Sequence, residues 1–141
     1  MTVSSAYGPL GLSLFGGEVN YEADVIKAML LTSSYVVNQD THRYVADVSA
    51  AELSGAGYTA GGLQVTSKTV TYDAANNRVK LTCDNLQWTG TTWLDVKYLV
   101  FYDADSGALL CYVDFETVQS TNNSPFTYLV PADGILTMTI V

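Results

Sequence analysis

Apolar and polar residues alternate with period two over much of this chain, which predicts strands with one buried face. In Arg78-Val-Lys-Leu-Thr-Cys-Asp84 the odd positions are apolar, and in Thr69-Val-Thr-Tyr72 the even ones are. Asp73 to Asn77, rich in Asp and Asn, lies between them and predicts a hairpin loop. From Trp93 to Tyr102 the residues Leu94, Val96, Tyr98, Val100 and Tyr102 share one face. Asp95 and Lys97 mark the other face, which turns apolar at Leu99 and Phe101. This predicts a central strand whose far half is covered on both sides. Asp103 to Gly107 reads as a turn, with Ala108 to Glu116 as its hairpin partner. Further strands are predicted at Asp24 to Thr32, Phe126 to Val130 and Ile135 to Val141. Parity changes between Val65 and Val70, and between Cys83 and Leu86, require breaks near Ser67 and near Asp84-Asn85, because a one-residue slip would turn a whole face outward.

Only Ala6 to Phe15 suggests a helix, and Pro9, Gly11 and the Gly16-Gly17 pair weaken it. The expected fold is therefore all-β: an antiparallel β-sandwich, Ig-like or jelly-roll-like, in a single domain at 21–141. An irregular or short-helical N-terminal arm at 1–20 is expected to precede it. The long segment Ser33 to Ala60 is expected to carry function or contacts.

Composition narrows the function. With 141 residues the chain has the size of one domain, and 48% hydrophobic against 14% charged residues excludes an acidic disordered tail. A formal charge of −8 leaves no basic face for nucleic acid and disfavours anionic membranes, so neither is expected as a partner. The N-terminus lacks the positive region of a signal peptide, and wholly apolar runs such as Ala28 to Leu31 are far too short to cross a bilayer. Synthesis and retention in the cytosol are expected. Cys83 and Cys111 fit neither CxxC nor zinc-ligand spacing and read as buried thiols.

The residues that can do chemistry do not form a recognisable catalytic set. His42 is the sole histidine and lacks a nucleophile signature around it, so it reads as a polar loop residue. Asp114 and Glu116 lie two apart on a predicted strand and could bracket a glycosidic bond, but a solvent face explains them as well. Asp103-Ala-Asp105-Ser-Gly107 has the oxygen density of a calcium loop without the rest of an EF-hand, and a hairpin turn accounts for it. Gly55, Gly57, Gly61 and Gly62 match no phosphate-binding loop. Trp88 and Trp93 flank a tight turn as a sugar-stacking platform would, but core or protomer contact is the preferred reading. No catalytic residue, metal or cofactor is expected.

Several segments together carry a resemblance: Asp24 to Tyr35, Asn38 to Tyr44, Gly57 to Gly62, Lys68 to Asp73 and Gly134 to Thr139. In that order they resemble a family of small tailed-bacteriophage virion proteins, variously head-decoration or tail-fibre-like. The resemblance implies a non-enzymatic structural protein of the virion. The expected role is a capsid decoration or cement protein on the outer head surface, bound to the major capsid protein or another virion protein. A homo-oligomer, with a trimer expected, would sit at a symmetry axis. The alternative is a tail-fibre or spike module that recognises host glycan. The interface candidates are Tyr7, Leu10, Leu12, Leu14 and Phe15 in the arm, with Trp88 and Trp93 in the domain. The apolar groups of the arm, set among glycines, suggest an anchor whose deletion (residues 2–17) should leave the β domain folded.

Overall fold

The computed structural model describes residues 3–141, and the fold is all-β, antiparallel and sandwich-like. Its strands are β1 (Val3–Ala6), β2 (Ile26–Leu31), β3 (Leu63–Gln64), β4 (Thr69–Asp73), β5 (Arg78–Thr82), β6 (Leu86–Thr91), β7 (Val96–Asp103), β8 (Leu109–Gln119), β9 (Ser124–Tyr128) and β10 (Leu136–Thr139). One short helix, α1 (Leu10–Phe15), and two 3-10 turns, Val45–Asp47 and Ser49–Ala51, complete the elements. A five-stranded sheet runs β1-β8-β7-β2-β3, and two smaller sheets, β10-β5-β4 and β6-β9, form the opposing layer.

The large sheet is buried on both faces, which is why β2 reads Ile-Lys-Ala-Met-Leu-Leu without clean alternation. Ile26, Ala28 and Leu30 of β2 point with Leu99 and Phe101 of β7 into the main core. Met29, Leu31, Val100 and Tyr102 point into a second core, roofed by Tyr35, Val48 and Ala51 from the long segment before β3. The small sheets add Leu86, Trp88 and Tyr128 to the main core. Gly62 allows the chain to turn tightly into β3, since it sits at φ +88° and a Cβ there would lie 1.9 Å from the Ala28 carbonyl oxygen.

The predicted strands at 24–32, 69–72, 78–84, 93–102, 108–116, 126–130 and 135–141 each overlap one of these elements, and the hairpin loop and the β7–β8 turn lie where expected. The breaks also fall as the parity required, and Ser67 itself is left-handed at φ 54°. Two expectations need correction. Val96 does not share a face with Tyr98, Val100 and Tyr102, because the β7–β8 register shifts between Val96 and Tyr98 and carries Val96 into the main core. Leu94 lies before the strand and is exposed.

The short helix expected in the N-terminal segment is present as α1, and the second correction is that the segment is not a separate arm. Residues 3–6 pair antiparallel with β8 from Val3↔Asp114 to Ala6↔Cys111 as the edge of the large sheet. Tyr7 and Leu10 are buried, one in each core. Pro9 starts α1, and Gly16-Gly17 ends it, with Gly17 at φ 78°. The segment is thus woven into the domain, and deleting 2–17 would remove an edge strand and core side chains.

Candidate interaction surface

The sheet β10-β5-β4 has one apolar face. Register places Val70, Leu81 and Leu136 in one cross-strand row and Tyr72, Val79 and Met138 in the next. Such rows usually pack on a neighbouring layer. Here only part of the face is covered: α1 and Val19 stand opposite it, leaving an apolar groove of about 440 Å³. Leu10, Leu14 and Phe15 of α1 line one wall, and Val70, Leu81 and Met138 line the other. Tyr21 closes the floor, its hydroxyl donating to the Thr82 carbonyl at 2.9 Å. Phe15 is 96% exposed at the rim, and Val70, Tyr72 and Met138 are exposed as well. All the side chains lining the groove are uncharged.

The helix forming this wall is held firmly from behind. Glu18 accepts from Arg43 Nη2 and from the Tyr44 hydroxyl, both at 2.7 Å, and Arg43 Nε donates to Ser13 Oγ at 3.2 Å. The Tyr44 and Arg43 hydrogen bonds hold the Glu18 carboxyl below the usual carboxylate range. Backbone N–H groups of Arg43 and Tyr44 do the same for Asp47. The groove is therefore a preformed feature of the fold.

The structure divides the sequence-derived interface candidates. Phe15 is on the groove rim, Leu14 is half-buried in its wall, and Leu12 is exposed on the outer side of α1. Tyr7 and Leu10 are core residues. Trp88 and Trp93, each only 2% exposed, stack in a cluster with Phe126 at ring separations of 5.6–6.2 Å. They offer no face to a sugar, because Trp88 points inward from β6 and Trp93, just beyond it, is held inward by mutual backbone hydrogen bonds with Thr121. Sequence reading missed Val70, Leu81, Leu136 and Met138. Their alternation was visible, but alternation alone does not reveal that the buried-type face lacks a full cover.

The catalytic candidates are engaged structurally. His42 Nδ1 lies 2.8 Å from the Tyr35 hydroxyl, which in turn lies 2.8 Å from the Tyr7 hydroxyl, so the imidazole extends a buried phenol chain. Burial raises the pKa values of both phenols, so they stay protonated at neutral pH. Asp114 pairs with Lys97 at 2.5 Å and also accepts the Glu116 N–H. Glu116 sits at φ 69° within the irregular part of β8, so the two carboxylates do not project from a regular strand face. Cys83 and Cys111 are free thiols, the first half-buried and the second buried.

A separate group of carboxylates, Asp24, Asp103 and Asp105, meets where the chain enters β2 beside the β7–β8 turn. Burial and the adjacent Asp24 push the Asp103 carboxyl well above its usual range, while the neighbouring Asp103 and the Asn20 N–H hold Asp24 low. Sequence reading noted Asp103 and Asp105; Asp24 is remote in the chain and was missed.

No family model, curated protein or solved structure matched the chain in comparisons.

Proposed function

We propose that this chain is a non-enzymatic assembly protein, a structural component of a tailed-bacteriophage virion that docks on a capsid subunit or another virion protein. The observation that carries this reading is the preformed apolar groove between α1 and the β10-β5-β4 sheet, with Phe15 exposed at its rim. Exposed contiguous apolar surface costs solubility unless another surface covers it, and an aromatic anchor beside a groove is the usual centre of a protein interface. The resemblance of Asp24 to Tyr35 and Gly57 to Gly62 to virion proteins supplies the setting. The decoration role fits a compact acidic domain that packaged DNA repels. The glycan-binding alternative loses support, because Trp88 and Trp93 are enclosed.

The test replaces Phe15→Asp alone and together with Val70→Asp, across the groove from each other. Circular dichroism should show the native β spectrum, since Phe15 is almost fully exposed and surface changes usually cost less than about 0.5 kcal/mol. Co-sedimentation with particles lacking this protein should fall at least tenfold. Undiminished co-sedimentation of the folded double variant would overturn the docking role.

A further inference from the structure

Asp103 is a fully buried carboxylate with one oxygen lacking a protein partner. Its Oδ1 accepts the backbone N–H groups of Asp105 at 2.9 Å and Ser106 at 3.2 Å. Its Oδ2 is buried and has no hydrogen-bond partner. A buried polar atom left in this way is costly, so such atoms are normally satisfied by protein, water or an ion. The neighbouring groups make the problem more acute, because Asp24 and Asp105 bring two further carboxylates. One oxygen from each of the three residues lies within 4.8 Å of the others.

The backbone holds this arrangement in place. Asp24 Oδ2 accepts the Asn20 N–H at 2.9 Å, and Asp105 Oδ2 accepts the Val25 N–H at 3.2 Å. Ala104 N–H donates to the Val25 carbonyl at 2.7 Å, joining the β7–β8 turn to the entry of β2. Lys68 Nζ donates to the Asp24 carbonyl. This single positive charge leaves three carboxylates under-compensated. The cluster grades from buried Asp103 through half-buried Asp24 to exposed Asp105, so solvent reaches one side.

We propose that Asp24, Asp103 and Asp105 bind a divalent hard cation of the calcium class, which fastens the β7–β8 turn to the entry of β2. The donors are all carboxylate oxygens, which selects hard cations over zinc or copper. Calcium accepts six to eight oxygens in irregular geometry, whereas magnesium demands a near-ideal octahedron and generally uses only one or two carboxylates. The exposed side admits water to complete the shell. The ion has a structural role here, and its binding is independent of whether the groove docks on a virion protein.

The experiment uses the purified full-length chain, stripped with EDTA and then titrated with calcium chloride by calorimetry and followed by thermal melting. Saturable binding with a stoichiometry of one and a Tm that climbs with calcium concentration are expected, with a weaker response to magnesium. Asp105→Asn tests the site where the fold is least disturbed, since Asp105 is exposed. It should keep the metal-free Tm and lose at least tenfold in calcium affinity. Asp103→Asn retains an oxygen acceptor for the turn and should also abolish the calcium response. Absence of calcium heat and of a Tm change at millimolar calcium would overturn the site, as would an Asp105→Asn protein that binds calcium like the parent. A proton shared between Asp24 and Asp103 with no cation bound would give a pH-dependent Tm indifferent to calcium, and that outcome too would overturn the proposal.

Discussion

Trp93 illustrates how one side chain can be assigned two opposite roles until its neighbours are known. Its ring lies at 6.0 Å and 82° to Tyr58, and its Nε1 donates to the Ala56 carbonyl at 2.7 Å. Gly55 lies against the indole, where an added Cβ would approach Trp93 Cδ1 to 3.0 Å. The glycine-rich segment before β3 is therefore folded over this indole and supports it. Trp93→Ala removes a large core side chain and leaves the Ala56 carbonyl without its donor, so it should destabilise by roughly 3–5 kcal/mol. Urea unfolding followed by circular dichroism measures this. A change below about 1 kcal/mol would mean that the indole is outside the core after all.

The behaviour of α1 depends on groups that are distant in sequence. Glu18, just beyond its end, ties the helix to Arg43 and Tyr44, and these hydrogen bonds favour the ionised carboxylate. A carboxyl with a folded value below its unfolded one stabilises the fold above the unfolded value of about 4, and that contribution is lost as pH falls through the lower folded value. Asp47 acts in the same direction. Acidification should therefore loosen residues 10–18 and 43–48 before the large sheet, seen as loss of amide protection in hydrogen exchange. Glu18→Gln should produce the α1 part of this loosening at neutral pH; unchanged protection of 10–17 in that variant would refute the coupling. Elements with strong alternation, such as β5 and β7, were legible because their periodicity is local. β1 was not, because Val-Ser-Ser-Ala has no such pattern and becomes a strand only by pairing with the edge of β8. The shift at Val96 was hidden for the same reason, since it depends on the irregular partner segment between Asp114 and Gln119. In the groove, the residues of each wall were legible, but their juxtaposition rests on tertiary contacts that no short window contains.

For the molecule as a whole, two forces act on association between copies: a formal charge of −8 and an open apolar groove. At ionic strength near 0.01 M the screening length is about 30 Å, comparable with the size of a domain, so like-charged copies repel as whole bodies. Near 0.15 M it falls to about 8 Å, and apolar rims centred on Phe15 can approach while most of the repulsion is screened. Salt should therefore promote self-association at neutral pH, the reverse of an oligomer held by ion pairs, whose contacts salt weakens. Sedimentation velocity across this salt range measures the effect, and Phe15→Ser separates the two forces because it leaves the net charge unchanged. The parent should shift towards larger species as salt rises, and Phe15→Ser should remain the size of a single chain throughout. If the variant associates like the parent, the contact between copies lies elsewhere on the surface. If the parent remains a single chain in high salt, the groove is reserved for a different protein, whose complementary surface must supply the cover that the β10-β5-β4 face lacks.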